Sequence, residues 1–133
     1  MIDIENEVFT RLAKPLRGRY PGIFVSGEYV RAPAAFPHVS IVQSDSYAPV
    51  ERGDTGITEK YSAVTFDVDV YSNLQTGKKS QCKAIMITID ALLYAMNFRR
   101  LVLTPVPNLE DATIYRLTAQ YTAETDGTYF YRR

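Results

Sequence analysis

The stretch "YSAVTFDVDVYSNLQTGKKSQCKAIMITIDALLYAMN", residues 61 to 97, contains the two strongest structural patterns of the chain. In residues 61 to 72 an apolar and a polar set alternate: Val64, Phe66, Val68 and Val70 against Thr65, Asp67, Asp69 and Tyr71. This period of two predicts a strand, because successive side chains of a strand point to opposite faces. The sequence therefore predicts a sheet with one buried face and one face that is wet or reserved for a partner.

Residues 78 to 97 follow the period of a helix. Their apolar side chains recur every three or four positions: Cys82, Ile85, Met86, Ile89, Leu92, Leu93 and Met96. This spacing predicts an amphipathic helix with one broad apolar stripe. At about 1.5 Å per residue, such a helix is long enough to lie across a whole small sheet.

Between the two patterns lies the polar turn Gly77-Lys78-Lys79-Ser80. The layout of strand, turn and helix is that of a phosphate-binding loop. A Walker-type loop, however, also needs a glycine five residues before its Gly-Lys pair and Ser or Thr directly after the lysine. Ser72 and Lys79 stand at those positions. We therefore interpret Gly77 as a strand breaker, Ser80 as the cap of the helix and both lysines as solvated.

Weaker patterns predict the remaining elements. Apolar residues at helical spacing predict a helix over residues 3 to 14, ended by Pro15 and Gly18. Two β-rich runs follow, "GIFVSGEYV" and "FPHVSIVQSDSYA". After the long helix, "RRLVLTPVPN" predicts a strand ended by Pro105 and Pro107.

A further strand is predicted from "ATIYRLTAQYTAE", and "TYFYRR" is a candidate for a short final strand outside the main order. In the first of them one side is expected to carry Tyr115, Leu117, Ala119 and Tyr121. Asp126-Gly127 is a turn signal between the two runs. The predicted order α-β-β-β-α-β-β describes an α+β fold, a mostly antiparallel sheet with two helices packed on one face.

Length and composition predict one domain over residues 1 to 133, since 46% hydrophobic content is enough for one core. Residues 44 to 60, "SDSYAPVERGDTGITEK", have no apolar period. We expect them to form a long loop that either projects from the sheet or becomes ordered only against a partner.

The charge and cysteine content limit the classes of partner and the compartment. Lys and Arg number 15, as do Asp and Glu, so no excess of positive charge favours nucleic acid or an anionic membrane. The single cysteine excludes an intramolecular disulfide and is typical of a reducing compartment. The sequence contains no apolar run of bilayer length and no signal-like start, which predicts a soluble protein folded in a cytoplasm.

Few residues are candidates for catalysis. Asp67 and Asp69 share a strand face, but no histidine or third carboxylate follows in register, so we interpret them as part of a solvated face. His38 is the only histidine and has no matching nucleophile motif. Cys82 belongs to the apolar stripe and is expected to pack in the core. We expect no catalytic, cofactor-binding or metal-binding residues, and no enzyme.

The chain has ten tyrosines and no tryptophan. Tyrosine suits surfaces that become interfaces, because its ring buries area while its hydroxyl keeps a hydrogen bond. Ordinary cross-strand aromatic pairing explains the tyrosines equally well. Together with the lack of a catalytic set, they favour a structural or assembly protein.

Residues 70 to 133 resemble the C-terminal half of tail-terminator, or tail-completion, proteins of long-tailed bacteriophages. The matching features are the strand, the "GKK" turn with its long helix, "FRR", "PVPNLEDATIYR" and the terminal "YRR". The N-terminal helix and the strands that follow also fit in order and length. The resemblance thus covers most of the chain as one tail-terminator-like domain.

The resemblance implies a structural virion protein at the head-proximal end of the tail, assembled in the host cytoplasm. Six copies would form a ring that caps the tail tube, ends its polymerisation and offers a surface for head joining. The implied partners are other copies of the chain, the major tail tube protein and a head-tail connector or neck protein. Viral DNA would pass through the lumen without sequence-specific binding.

Two alternatives stay open: a head-closure or neck protein of the connector, and a small enzyme or ligand-binding domain that uses the Lys78-Lys79-Ser80 turn. For the ring, neighbouring copies need contacts between two different patches. We expect these patches to include Arg99 and Arg100 on one side and the loop residues on the other. The loop residues are Glu51, Arg52, Asp54 and Glu59.

Overall fold

A computed structural model describes residues 4–28, 33, 35–47, 62–106, 113–125 and 130–131 of the chain. Its elements are α1 (Glu5–Arg19), β1 (Phe24–Ser26), β2 (His38–Tyr47), β3 (Ser62–Ser72), α2 (Lys78–Ala95), β4 (Arg99–Val106), β5 (Tyr115–Thr125) and β6 (Phe130–Tyr131). The predicted α+β fold and its element order are confirmed, with β6 as the short final strand.

The strands form one sheet in the order β1-β2-β3-β5-β4. Every pairing is antiparallel except the short parallel contact of β1 with β2. At the centre of the sheet, Val68 of β3 lies opposite Ile41 of β2 and Ala119 of β5. β6 pairs with Glu124 and Thr125 beyond the end of the β4 pairing, so it extends the β4 side of β5.

Both helices cover one face of this sheet. α2 contacts β3, β5 and β4, whereas α1 contacts β1, β2 and α2. The predicted stripe of α2 is buried at Cys82, Ile85, Met86, Ile89 and Leu93. It packs with the apolar face of β3, where Val64, Phe66, Val68 and Val70 are fully buried. A hydrogen bond of 2.8 Å between the hydroxyls of Tyr20 and Thr88 joins the end of α1 to α2.

Backbone geometry determines both ends of α2. Gly77 precedes the helix with a φ of 85°, a conformation that glycine adopts without steric cost. The helix ends in a Schellman motif: Phe98 N–H donates to Leu93 O and Asn97 N–H to Tyr94 O, both at 2.9 Å. The prediction that Ser80 caps the helix is wrong, because Ser80 is already the third helical residue.

Two prolines do not end the elements that they were predicted to end. α1 continues through Pro15, and through Gly18, to Arg19, because Leu16 extends the apolar stripe and is fully buried. The burial of that side chain offsets the hydrogen bond that proline cannot donate. Pro105 lies within β4 and pairs with Leu117. β4 is an edge strand, where proline is tolerated because its missing N–H need not reach a neighbouring strand.

The predicted loop at residues 44 to 60 is shorter at its start than expected. β2 continues to Tyr47, with a β-bulge between Gln43 and Asp45 that interrupts the regular alternation. Residues 48–61 lie outside the described residues, as do Pro107 and the predicted turn Asp126-Gly127.

Ile89→Ala should lower the free energy of unfolding by about 2–5 kcal/mol, because Ile89 is fully buried at the centre of the α2 contact and alanine leaves a cavity. Urea denaturation followed by circular dichroism measures this change. Ile87→Ala is the matched control, since Ile87 is 69% exposed on the same helix. Similar losses in both variants would contradict the packing of α2 described above.

Candidate functional site

β4 is an open edge of the sheet with an apolar surface. It pairs with β5 on one side, and no described strand pairs with its other side. The side chains of Leu101, Val102 and Leu103 are 45%, 48% and 43% exposed. An exposed apolar edge with unpaired backbone groups is a template for contact with another chain. We call this segment, Arg99 to Leu103, the β4 edge.

A groove of about 230 Å³ runs between the β4 edge and α2. Its lining residues are Lys83, Met86, Ile87, Asp90, Arg100, Leu103 and Leu117. Ile87 and Tyr94 lie two turns apart on α2 and are 69% and 61% exposed. Leu103 and this face of α2 form one mainly apolar surface, whereas Val102 pairs with Gln120 and lies on the opposite face of β4.

Asp90 connects this surface to the core. Its Oδ1 accepts a hydrogen bond of 3.0 Å from the Tyr121 hydroxyl and one of 3.3 Å from Arg100 Nη1. Burial, reinforced by the Asp90 carboxylate, raises the pKa of Tyr121 well above its ordinary value. The phenol is therefore neutral at physiological pH and acts as a donor that holds Asp90 in place. The sequence pattern placed Tyr121 on the same side of its strand as Leu117 and Ala119 but gave no signal of this hydrogen bond.

The two predicted arginines lie on opposite faces of β4. Arg99 pairs with Thr122 and Arg100 with Tyr121, so Arg100 is on the helix-covered face and Arg99 on the other. Arg99 is exposed and forms no ion pair with any described residue. The predicted loop residues Glu51, Arg52, Asp54 and Glu59 lie outside the described residues. Their contact with the arginines stays a prediction.

The opposite edge of the sheet carries a second groove, of about 500 Å³. Its lining residues are Glu5, Asn6, Phe9, Phe24, Ser26, Gly27, Glu28 and Ile41. β1 pairs only with residues 38–40 of β2, so the rest of β2 has no described neighbour on this side. There the N–H of Gln43 donates to Glu5 Oε2 at 3.0 Å. We call this region the α1/β1 groove.

The polar face of the sheet is only partly solvated, contrary to the prediction. Asp69 and Tyr71 are 1% and 3% exposed. Arg116 donates to Asp69 Oδ1 through Nε and Nη2, both at 3.1 Å, and its guanidinium lies 5.6 Å from the centre of the Tyr71 ring. Thr118 donates to the same carboxylate oxygen. Burial of Asp69 is acceptable because β5 supplies these donors.

The predicted carboxylate pair does not form a shared site. Asp67 accepts its own hydrogen bond of 3.1 Å from Gln120 Nε2, while Asp69 is held by Arg116 and Thr118. Within the described part of the chain, no group of three His, Cys, Asp or Glu residues could hold a metal ion. Both carboxylates have structural partners on β5.

His38 and Cys82 are buried, and no described residue gives either of them a partner suited to catalysis. The His38 ring stacks on Phe24 at 5.0 Å and meets Tyr71 edge-on at 5.8 Å. Neither ring nitrogen forms a hydrogen bond. The Cys82 thiol lies 3.6 Å from the carbonyl oxygen of Val70, and burial raises its pKa to about 12. The predicted core packing of Cys82 is confirmed.

No family model and no curated protein matches this chain. Among the described helices, none has the length and apolar character needed to cross a bilayer. The two edges of the sheet, at β1 and at β4, are the candidate surfaces for contact with another molecule.

Asp69→Ala should lower the free energy of unfolding by about 1–3 kcal/mol, because Arg116 and Thr118 lose their shared acceptor at a buried position. Asp67→Ala is the control, since this carboxylate is only partly buried. Thermal denaturation of both variants measures the difference. A larger loss in Asp67→Ala would show that the Asp69 cluster is not the stabilising feature of this face.

His38 should make the stability of the protein depend on pH. Burial lowers the pKa of His38 below its ordinary value of 6.5, so the unfolded chain binds a proton more readily than the folded one. The stability that the neutral, buried His38 contributes is fully present above pH 6.5 and is lost as the pH falls below that value. In His38→Phe, the free energy of unfolding should decline less between about pH 7.5 and 5.5. Equal slopes in both proteins would contradict this assignment.

Proposed function

We propose that this chain is a structural virion protein that caps a phage tail tube as a ring, ends tube polymerisation and provides the surface for head joining. The observation that carries the proposal is the exposed apolar β4 edge beside the α2 groove. It is combined with the resemblance of residues 70 to 133 to tail-terminator proteins.

The β4 edge supports an assembly role for a physical reason. Exposed edge strands in monomeric proteins are normally blunted by charge, bulges or coverage, because an open apolar edge recruits other chains. Here the arginines and the bulge between Arg100 and Val102 lie at one end, and three consecutive apolar residues follow. Such a surface suits a protein whose β4 edge is covered by another chain in the finished assembly.

The mainly apolar character of the described residues in the β4 edge and in the groove beside it favours an interaction protein over an enzyme. Of the polar groups there, Asp90, Arg100 and the Tyr121 hydroxyl bond to one another, and Lys83 is exposed at the rim. The proposed partners are further copies of the chain, the major tail tube protein and a connector or neck protein. The equal numbers of basic and acidic residues suit a ring through which DNA passes without sequence-specific binding.

A phage that lacks this protein tests the proposal directly. We expect heads filled with DNA together with unjoined tails of irregular or excessive length, as seen by negative-stain electron microscopy. Tails of normal length joined to heads would refute the terminator function. Tails of normal length that fail to join heads would instead favour a neck or head-closure protein.

The β4 edge can be tested in the same phage with Val102→Asp, which places a charge in the middle of the apolar segment. This variant should restore tail completion poorly, because a carboxylate would lose its hydration in the subunit contact. Leu74→Asp is the matched control, since Leu74 is equally apolar and 43% exposed but lies outside the β4 edge. Full complementation by Val102→Asp would remove the β4 edge from the proposal.

A further inference from the structure

We infer that neighbouring copies of the chain join head to tail, with the β4 edge and α2 of one copy seated in the α1/β1 groove of the next. This inference rests on the proposed ring and names the two surfaces that build it. The α1/β1 groove is thus occupied by a second copy of the same chain.

The position of the two surfaces supports a head-to-tail contact. They lie at the two opposite edges of one sheet, since β1 and β4 are the first and last strands of its order. A contact between two different patches leaves one of each kind free on every dimer, so assembly continues until a ring closes. A chain with one open surface at each edge is suited to this form of growth.

The two surfaces are complementary in apolar character. The β4 edge offers three exposed apolar side chains, Leu101, Val102 and Leu103. The α1/β1 groove has apolar walls formed by Phe9, Phe24 and Ile41, and Phe24 is 51% exposed. Its volume of about 500 Å³ is sufficient for several aliphatic side chains. Contact would remove both apolar surfaces from water.

The charges at the two surfaces are opposite in sign. The surface of β4 and α2 carries Lys83 and the ion pair of Arg100 with Asp90, and the exposed Arg99 lies on the other face of the same strand. Lys83 and Arg99 are thus its cations without an ion pair to a described residue. The α1/β1 groove is lined by two carboxylates, Glu28 and Glu5, of which Glu5 accepts the Gln43 N–H, and none of its described lining residues is a cation. Opposite charges across an interface favour the correct pairing.

The head-to-tail contact places Arg99, which forms no ion pair with a described residue, near the carboxylates of Glu5 and Glu28.

Charge reversal tests the pairing. Sedimentation velocity at increasing concentration, with and without tail tubes, should show that Arg99→Glu and Glu28→Arg each weaken self-association about tenfold. The double variant should recover most of this loss, because the reversed charges again attract each other. Arg17→Glu, an exposed change on α1 of the same sign as Arg99→Glu, is the control and should have little effect. Failure of the double variant to recover would overturn the pairing of these two residues.

Disulfide trapping tests the geometry without changing charge. Ser26→Cys and Val102→Cys place one thiol at each surface, and the native Cys82 is buried and unreactive. A mixture of the two variants under oxidising conditions should give cross-linked dimers, while each variant alone should not. Dimers of Val102→Cys alone would show a two-fold contact and overturn the head-to-tail arrangement.

The outcomes separate this inference from the proposed function. Assembly of wild-type rings on tail tubes, without cross-links between the two cysteine variants, would overturn the choice of surfaces and leave the terminator function standing. Absence of any self-association, on tubes or at high concentration, would overturn both. Circular dichroism of every variant checks that a loss of assembly does not arise from unfolding.

Discussion

The contact of α2 with the inner face of β3 and β5 is the interaction on which the rest of the structure depends. Ile85, Ile89 and Leu93 are fully buried there, and burial of such side chains is the main favourable contribution to folding in a chain of this size. The contact determines where α2 lies, and α2 in turn places Asp90 under the Tyr121 hydroxyl and Ile87 beside Leu103. The packing of the core therefore also determines the position of the exposed surface at α2 and the β4 edge. Its apolar residues are those that the helix leaves uncovered at the edge of the sheet.

Much of this architecture could be predicted from periodicity. The alternation in β3 and the stripe of α2 persist over enough residues to distinguish a strand from a helix, and both elements end within a few residues of their predicted bounds. The same reasoning placed Tyr115, Leu117, Ala119 and Tyr121 on one side of β5, and the last three of them are buried. Local patterns were less reliable where tertiary contacts decide the outcome. Pro15 is accommodated because Leu16 belongs to the core, and Pro105 because β4 is an edge.

The candidate surface could be predicted only in part. Arg99 and Arg100 were expected at an interface, and they do lie at an open edge of the sheet. Neither the strand order nor the parallel contact of β1 with β2 follows from alternation, which reports the faces of a strand but not its neighbours. The α1/β1 groove was therefore not foreseen. The burial of Asp69 also had no signal in the sequence, because it depends on Arg116 and Thr118 across the strand pair.

In the proposed function, the β4 edge, which no described strand covers in the single chain, is covered by another copy in the assembled tail. Hydrogen exchange of the free chain and of the chain bound to tail tubes measures this most directly, because outward N–H groups of an edge strand exchange until they are covered. We expect slower exchange on assembly in the β4 peptide Arg99–Val106, and little change in the already buried centre of α2. Equal exchange of the β4 peptide in both states would contradict it.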